Sequence, residues 1–303
     1  MRTFLKFNRL YKTLRHLKFI QYIYRLKKLI PIKVSIETLD PTPIQKNLSF
    51  TWPSINNKQS FDGIDFNFLN RKQRFSEDIW MNQSEDDLWN YNLHYFDFLN
   101  EEKSQKDPKI IHSWIDNTLF GKGLPYEPYP TSLRIVNQIK WILSNNIKNN
   151  EINKSLFLQS RWLNRNLEFH LLANHLFSNF KALFFAGYFF NSKESDFWFL
   201  KGKKGIINQI KEQVLDDGGH FELSPMYHNL FIKDLIDIYM LNTLNKTLFD
   251  KDFGEILTEA ITSMLGWSGA MSHPDGDISF FNDSCFGIAP TMEELQKYSS
   301  SFH

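Results

Sequence analysis

The sequence predicts an all-α domain of antiparallel helices, and three observations carry that prediction. From Glu85 onward, apolar residues recur at helical spacing in segment after segment. The segments are separated by short polar, Gly- or Pro-containing stretches, which places neighbouring helices side by side and antiparallel. Strand signals are confined to two short places, Phe61–Leu69 and Ile278–Phe281.

Each element follows from its own pattern. Residues 1–30 read as a basic amphipathic helix: Arg2, Lys6, Arg9, Lys12, Arg15, Lys18, Arg25, Lys27 and Lys28 all precede the first acid, Glu37. Such a segment is either a solvated helix face packed on the domain or an arm for an anionic surface or acidic polymer. Pro41, Pro43 and Pro53 mark an extended connector from Pro31 to about Gln83, so residues 1–84 form a first unit and 85–303 the helical domain. Leu88, Asn92, Tyr95 and Leu99 share one helical face. A second helix fits Lys109–Phe120, stopped by Gly121 and Gly123. After the Pro125–Pro130 loop, Thr131 or Ser132 can cap a helix bearing Leu133, Val136, Ile139 and Trp141. From about Glu151 the leucines at 156, 163, 167 and 171 align, and Leu176, Phe180, Leu183 and Gly187 follow on the next helix. Further helices are expected near 194–215, 225–245, 252–268 and from Thr291, with a turn at His273–Gly276.

Composition excludes several functions. The 303 residues carry a net charge of +1, so the molecule as a whole has no nucleic-acid footprint. The longest apolar run, Ala182–Phe190, is too short to span a bilayer. No continuous apolar stretch follows the early cations, so no leader peptide is evident. Cys285 stands alone and forms no internal disulfide; both facts fit the cytoplasm, and neither excludes the periplasm. Aromatic residues make up 16%; a Phe-filled core accounts for most of them, and the sharper reading gives some Trp and Tyr to a groove for sugar rings. The P-loop, dinucleotide and G-x-S-x-G signatures are missing.

Three stretches hold residues suited to chemistry. In Asp216–His228, Asp217–Gly219 makes a tight turn, Ser224 is a good N-cap and Pro225 suits the first helical position. Tyr227 then falls in the first helical turn, where unpaired N–H groups and the helix dipole favour negative charge; its phenol is expected to ionise more easily than a free one. Glu222 and His228 flank it, and a capping or packing role for Tyr227 and His228 is the alternative. In Glu168–His175, the Glu168/His175 and His170/Asn174 pairs would share a face on one helix. They make either a polar network that fixes register or a site; H-E-x-x-H is absent, which argues against zinc. In Trp89–Tyr95, with Arg134, the mixture of Trp89, Asn92, His94 and Arg is carbohydrate-groove equipment. Asp275, Asp277 and Asp283 lack EF-hand spacing and suit caps and turns better than Ca²⁺.

Trp89–Leu99, Leu167–Gly187 with Asn174-His175, and Gly218–His228 with its Phe-Glu-Leu-Ser-Pro-Met-Tyr-His run together resemble the heparinase II/III family of polysaccharide lyases. Pro130–Asn137 and His273–Ser284 add to the likeness. The resemblance implies an incomplete (α/α) toroid followed by a β-sandwich, and β-elimination at a uronic acid in an acidic polysaccharide, without metal or organic cofactor. It implies that Asn174 neutralises the uronate carboxylate and that Tyr227 transfers the proton. His175, Glu222 and His228 would orient them or touch substrate, and Trp89, Asn92, His94 and Arg134 would line the groove. The β-sandwich has no counterpart before His303, which leaves three expectations: a truncated and inactive lyase, a single domain of a lyase, or half of a split protein whose partner is a separate β-sandwich half. Two other readings remain open: a binding module without turnover, and a hydrolase, for which Glu222 with Asp217 is the best carboxylate pair.

Overall fold

The computed structural model describes residues 12, 15–30, 34–37, 50–55, 59–82, 85–102, 106–244 and 250–300. The early cations Arg2, Lys6 and Arg9 and the prolines Pro41 and Pro43 lie outside these residues.

Among the described residues there are ten α-helices and one two-stranded sheet. In chain order they are α1 (Phe19–Lys27), β1 (Asp65–Phe68), β2 (Arg71–Arg74), α2 (Asp87–Tyr95), α3 (Lys109–Asn117), α4 (Pro128–Asn145) and α5 (Asn150–Arg165). They continue with α6 (Ala173–Phe189), α7 (Lys193–Gln213), α8 (Pro225–Leu244), α9 (Lys251–Met271) and α10 (Met292–Ser300).

Local chemistry explains most boundaries. The Asp86 side chain accepts from the Trp89 N–H at the start of α2, Asn149 from Ile152 at α5, and Asp250 from Phe253 at α9. Helix α4 begins at Pro128, three residues before the expected caps, because Pro fits a first helical turn; Thr131 and Ser132 are instead buried inside the helix. The β1–β2 hairpin pairs Phe68 with Arg71 across a two-residue turn, Leu69-Asn70, both at positive φ, as a tight hairpin of right-handed strands requires. Ile278 makes only an isolated bridge to Ser272 rather than a strand.

The core is aromatic and continuous. Helices α6 and α7 lie against each other so closely that a Cβ on Gly202 would sit 2.5 Å from the Phe184 nitrogen. Helix α6 also packs on α4, and α8 on α9. Trp52, Phe66 and Phe68 from the connector enter the same core as the helices. One carboxylate organises its polar part: buried Asp237 on α8 pairs with Lys140 of α4 (2.5 Å) and Lys181 of α6 (2.6 Å), and accepts from Tyr298 of α10 (2.5 Å) and the Trp52 indole (3.2 Å). These two ammonium groups hold the Asp237 carboxyl far below the usual carboxylate range, against the effect of burial. No described helix is long and apolar enough to cross a membrane.

Candidate active site

The chain does not run as one helix through Glu168–His175. Helix α5 ends at Arg165, and the backbone turns through Leu172 and Ala173, both at positive φ, as α6 begins at Ala173. The expected shared helical faces for Glu168/His175 and His170/Asn174 are therefore replaced by a turn that folds back. Asn174 and His175 emerge in the first turn of α6, and the turn brings Glu168 to His175 from outside that helix. Helix α8 is entered in a similar way: Leu223 sits at φ +53, and Ser224 caps the helix by accepting from the Tyr227 N–H at 3.2 Å. Left-handed non-glycine residues thus precede both helices, a strained conformation that packing must hold in place.

Asn174, His175, Glu222 and Tyr227 line one open cleft of about 1880 Å³, together with Asn92, Tyr91, Tyr129 and Asp283. The Asn174 amide approaches Glu222 at 3.5 Å. His175 Nδ1 lies 3.2 Å from Glu168 Oε1, and its ring rests on Tyr129 with centroids 4.5 Å apart. Glu168 is itself fixed: its Oε2 accepts from Asn179 Nδ2, its backbone N–H donates to Asn179 Oδ1, and Asn179 also donates to Ser132. A carboxylate offers only acceptors, so Nδ1 of His175 carries the hydrogen and a neutral ring presents Nε2 as an acceptor.

The Tyr227 hydroxyl donates to Asp283 Oδ2 at 3.0 Å. Burial, that hydrogen bond and the Asp283 charge push its phenol up to about 12. This reverses the expected easier ionisation: the dipole of α8 is outweighed by partial burial and by a carboxylate bonded to the hydroxyl. Burial and Asp283 also push the Glu222 carboxyl up, so it takes a proton more readily than a free glutamate. Asp283 was legible only as a turn residue, because its partner lies 56 positions away in the chain. Its backbone carbonyl accepts from Ser224 Oγ, and Asn282 donates to the Leu223 carbonyl, so the 282–284 loop is tied to the start of α8.

Four expected groove residues lie elsewhere. Trp89 is buried, its indole donating to the Arg71 carbonyl and its ring edge-on to Phe68. His94 is buried and accepts from the Trp114 indole; burial first, then Arg134, holds its pKa well below the ordinary value. Arg134 is fully buried, bonded to Gln159, Thr131 and the His94 carbonyl, with its guanidinium 4.2 Å from the Trp114 ring centroid. Its positive charge is satisfied by neutral acceptors and aromatic faces, and burial lowers its pKa to about 9. His228 is buried between the His220 N–H, which donates to its Nδ1, and the Met264 carbonyl beside its Nε2. These four serve the core because α2, α4 and α8 each bury a polar face as well as an apolar one. Of Trp89, Asn92, His94 and Arg134, Asn92 reaches the cleft, with its amide bonded to the Leu88 carbonyl. Asp217 caps its own turn through the Gly219 N–H and does not line the cleft with Glu222. The described residues hold no cluster of three or more potential metal ligands.

The chain is 32% identical over 130 residues to a heparin-sulfate lyase of Bacteroides stercoris, covering 41% of this chain and 18% of that protein. It is 30% identical over 112 residues to a heparin-sulfate lyase of Pedobacter heparinus, covering 37% of this chain and 17% of that protein. A crystal structure of heparinase III superposes with a TM-score of 0.53 at 21% identity, over 74% of this chain and 38% of that chain. That superposition shows the fold, an incomplete (α/α) toroid of antiparallel helices. The chain thus spans less than half the length of each of these relatives. The sequence model of the family described as Heparinase II/III N-terminus matches residues 140–303, more than half of the chain, and the protein belongs to the heparinase II/III family.

Proposed function

We propose that this chain is the toroid portion of a polysaccharide lyase that cleaves an acidic, uronate-containing polysaccharide by β-elimination. The observation that carries the reading is the meeting of Asn174 from α6 and Tyr227 from α8 in one cleft. A uronate C5 proton is only weakly acidic, and hydrogen bonds to the carboxylate stabilise the enolate-like intermediate formed when it leaves. The Asn174 amide supplies such a donor. Glu222 beside it would repel a uronate if ionised, and its raised pKa lessens that repulsion. Tyr227 keeps its proton at neutral pH and so suits protonation of the leaving glycosidic oxygen. His175, with Nδ1 committed to Glu168, offers Nε2 toward the cleft as a proton acceptor or a substrate contact.

The test is incubation of heparan sulfate with the chain, alone and supplied with a β-sandwich half from a family member. The expected product carries an unsaturated uronate and absorbs in the ultraviolet. Saturable binding without product would mark a binding module instead. New reducing ends without the chromophore would mark a hydrolase.

A further inference from the structure

Helix α1 is docked by one face only. Lys18 Nζ pairs with Glu212 Oε1 at 2.5 Å, Gln21 Nε2 donates to the His170 carbonyl at 3.1 Å, and the Tyr24 ring rests on Phe169 at 4.5 Å. Phe169 and His170 belong to the turn that leads into Asn174, so α1 is fastened to the segment that enters the candidate site. The C-terminal turn of α1, next to the docked Tyr24, is cationic. Arg25, Lys27 and Lys28 are exposed, and Lys27 and Lys28 line the same cleft as Asn174 and Tyr227. Arg165, the last residue of α5, is exposed and lines it too.

Among the described residues, none of these four cations has a carboxylate within salt-bridge distance; Lys27 rests over the Tyr24 ring at 4.5 Å. Lys28 and Arg25 are near enough to His170 to add to the lowering of its pKa that burial begins. A docked helix therefore holds several unpaired positive charges beside the cleft, where mutual repulsion costs stability unless an anion is present.

We propose that Lys27, Lys28 and Arg165 form an anion subsite on the α1 side of the cleft. It takes a carboxylate or sulfate group on a flanking sugar of the acidic polysaccharide whose reacting unit sits at Asn174 and Tyr227. The assignment rests on the lyase-cleft reading above and adds to it a site for a sugar remote from the cleaved bond. An anionic lipid surface is the competing occupant, since Phe19, Leu26 and Leu29 are exposed on the same segment. The position of both lysines inside the cleft wall favours the polymer.

The experiment is calorimetric titration of the chain with heparan sulfate oligosaccharides of increasing length and with unsulfated uronate oligosaccharides of the same lengths. Wild type is compared with the triple variant Lys27→Ala, Lys28→Ala, Arg165→Ala, and with Lys28→Glu. The triple variant is expected to bind long oligosaccharides roughly 10-fold or more weakly. It should bind a disaccharide as wild type does, and show a shallower salt dependence. Lys28→Glu should weaken long oligosaccharides in the same direction. A loss restricted to sulfated chains identifies sulfate as the group bound, and a loss for both series identifies the carboxylate. Wild-type affinity for long oligosaccharides in the triple variant overturns the subsite while leaving the lyase reading intact. Failure of wild type to bind any acidic oligosaccharide overturns both. Loss of binding to phosphatidylserine vesicles with oligosaccharide affinity unchanged also overturns the subsite and reassigns the face to a membrane.

Discussion

Tyr227 and the two buried histidines near it show how local surroundings decide what a titratable group can do. Burial first, then Asp283, keeps the Tyr227 phenol protonated, and its one hydrogen lies in the bond to Asp283, so in the proposed reaction that bond breaks as the proton passes to the leaving oxygen. His220 and His228 are 1% and 0% exposed and are pushed down to about 4, by burial first in both. Gln213 accepts from one ring and the Met264 carbonyl from the other; at His228 that Met264 bond, and then the Asp217 charge, oppose the shift without overcoming burial. The sign of the pH effect follows. An unfolded histidine binds a proton below about 6.5, whereas the native rings refuse it until about 4. Stability is therefore intact above about pH 6.5 and falls as pH drops toward 4, by up to about 3 kcal/mol per histidine. Urea unfolding at pH 7 and pH 4.5 should show the loss, and His220→Gln should reduce its slope. An unchanged slope in that variant would place the acid sensitivity elsewhere.

At the scale of elements, the helices were legible because periodic apolar residues and the Ser224 cap act locally, whereas the caps Asp86, Asn149 and Asp250 emerged only in the structure. The break at Leu172-Ala173 was not, since neither residue signals a left-handed turn and tertiary packing imposes it. The same limit applies to the site. Asn174, His175, Glu222 and Tyr227 were singled out by motif and meet in the cleft, whereas Trp89, His94, Arg134 and His228 have equally suitable side chains that point into the core. Residue type says what a group can bind; only packing says whether it faces solvent. Close packing also explains Gly202, whose lack of a Cβ lets α7 approach α6 at Phe184. Gly202→Ala is expected to destabilise by about 1–3 kcal/mol through overpacking, despite the better helix propensity of Ala. A thermal melt at or above the wild-type midpoint would show that the helices can part without cost.

For the whole molecule, Asp237 joins the Trp52 segment to α4, α6, α8 and α10, linking the connector to the last helix described. Asp237→Asn leaves Lys140 and Lys181 buried with less opposing charge, and should cost about 3–5 kcal/mol in chemical denaturation. A loss below 1 kcal/mol would mean that water reaches the lysines. The same arrangement places α6 and α8 so that Asn174 and Tyr227 line one cleft, the geometry on which the proposed elimination on an acidic polysaccharide rests. The most direct test is Tyr227→Phe, which deletes the hydroxyl and keeps the ring. It is assayed by formation of unsaturated uronate from heparan sulfate, with a β-sandwich half supplied. Proton transfer by Tyr227 predicts turnover lower by about 10²–10⁴-fold with an unchanged melting midpoint. Near-normal appearance of unsaturated product from the Phe variant would contradict it.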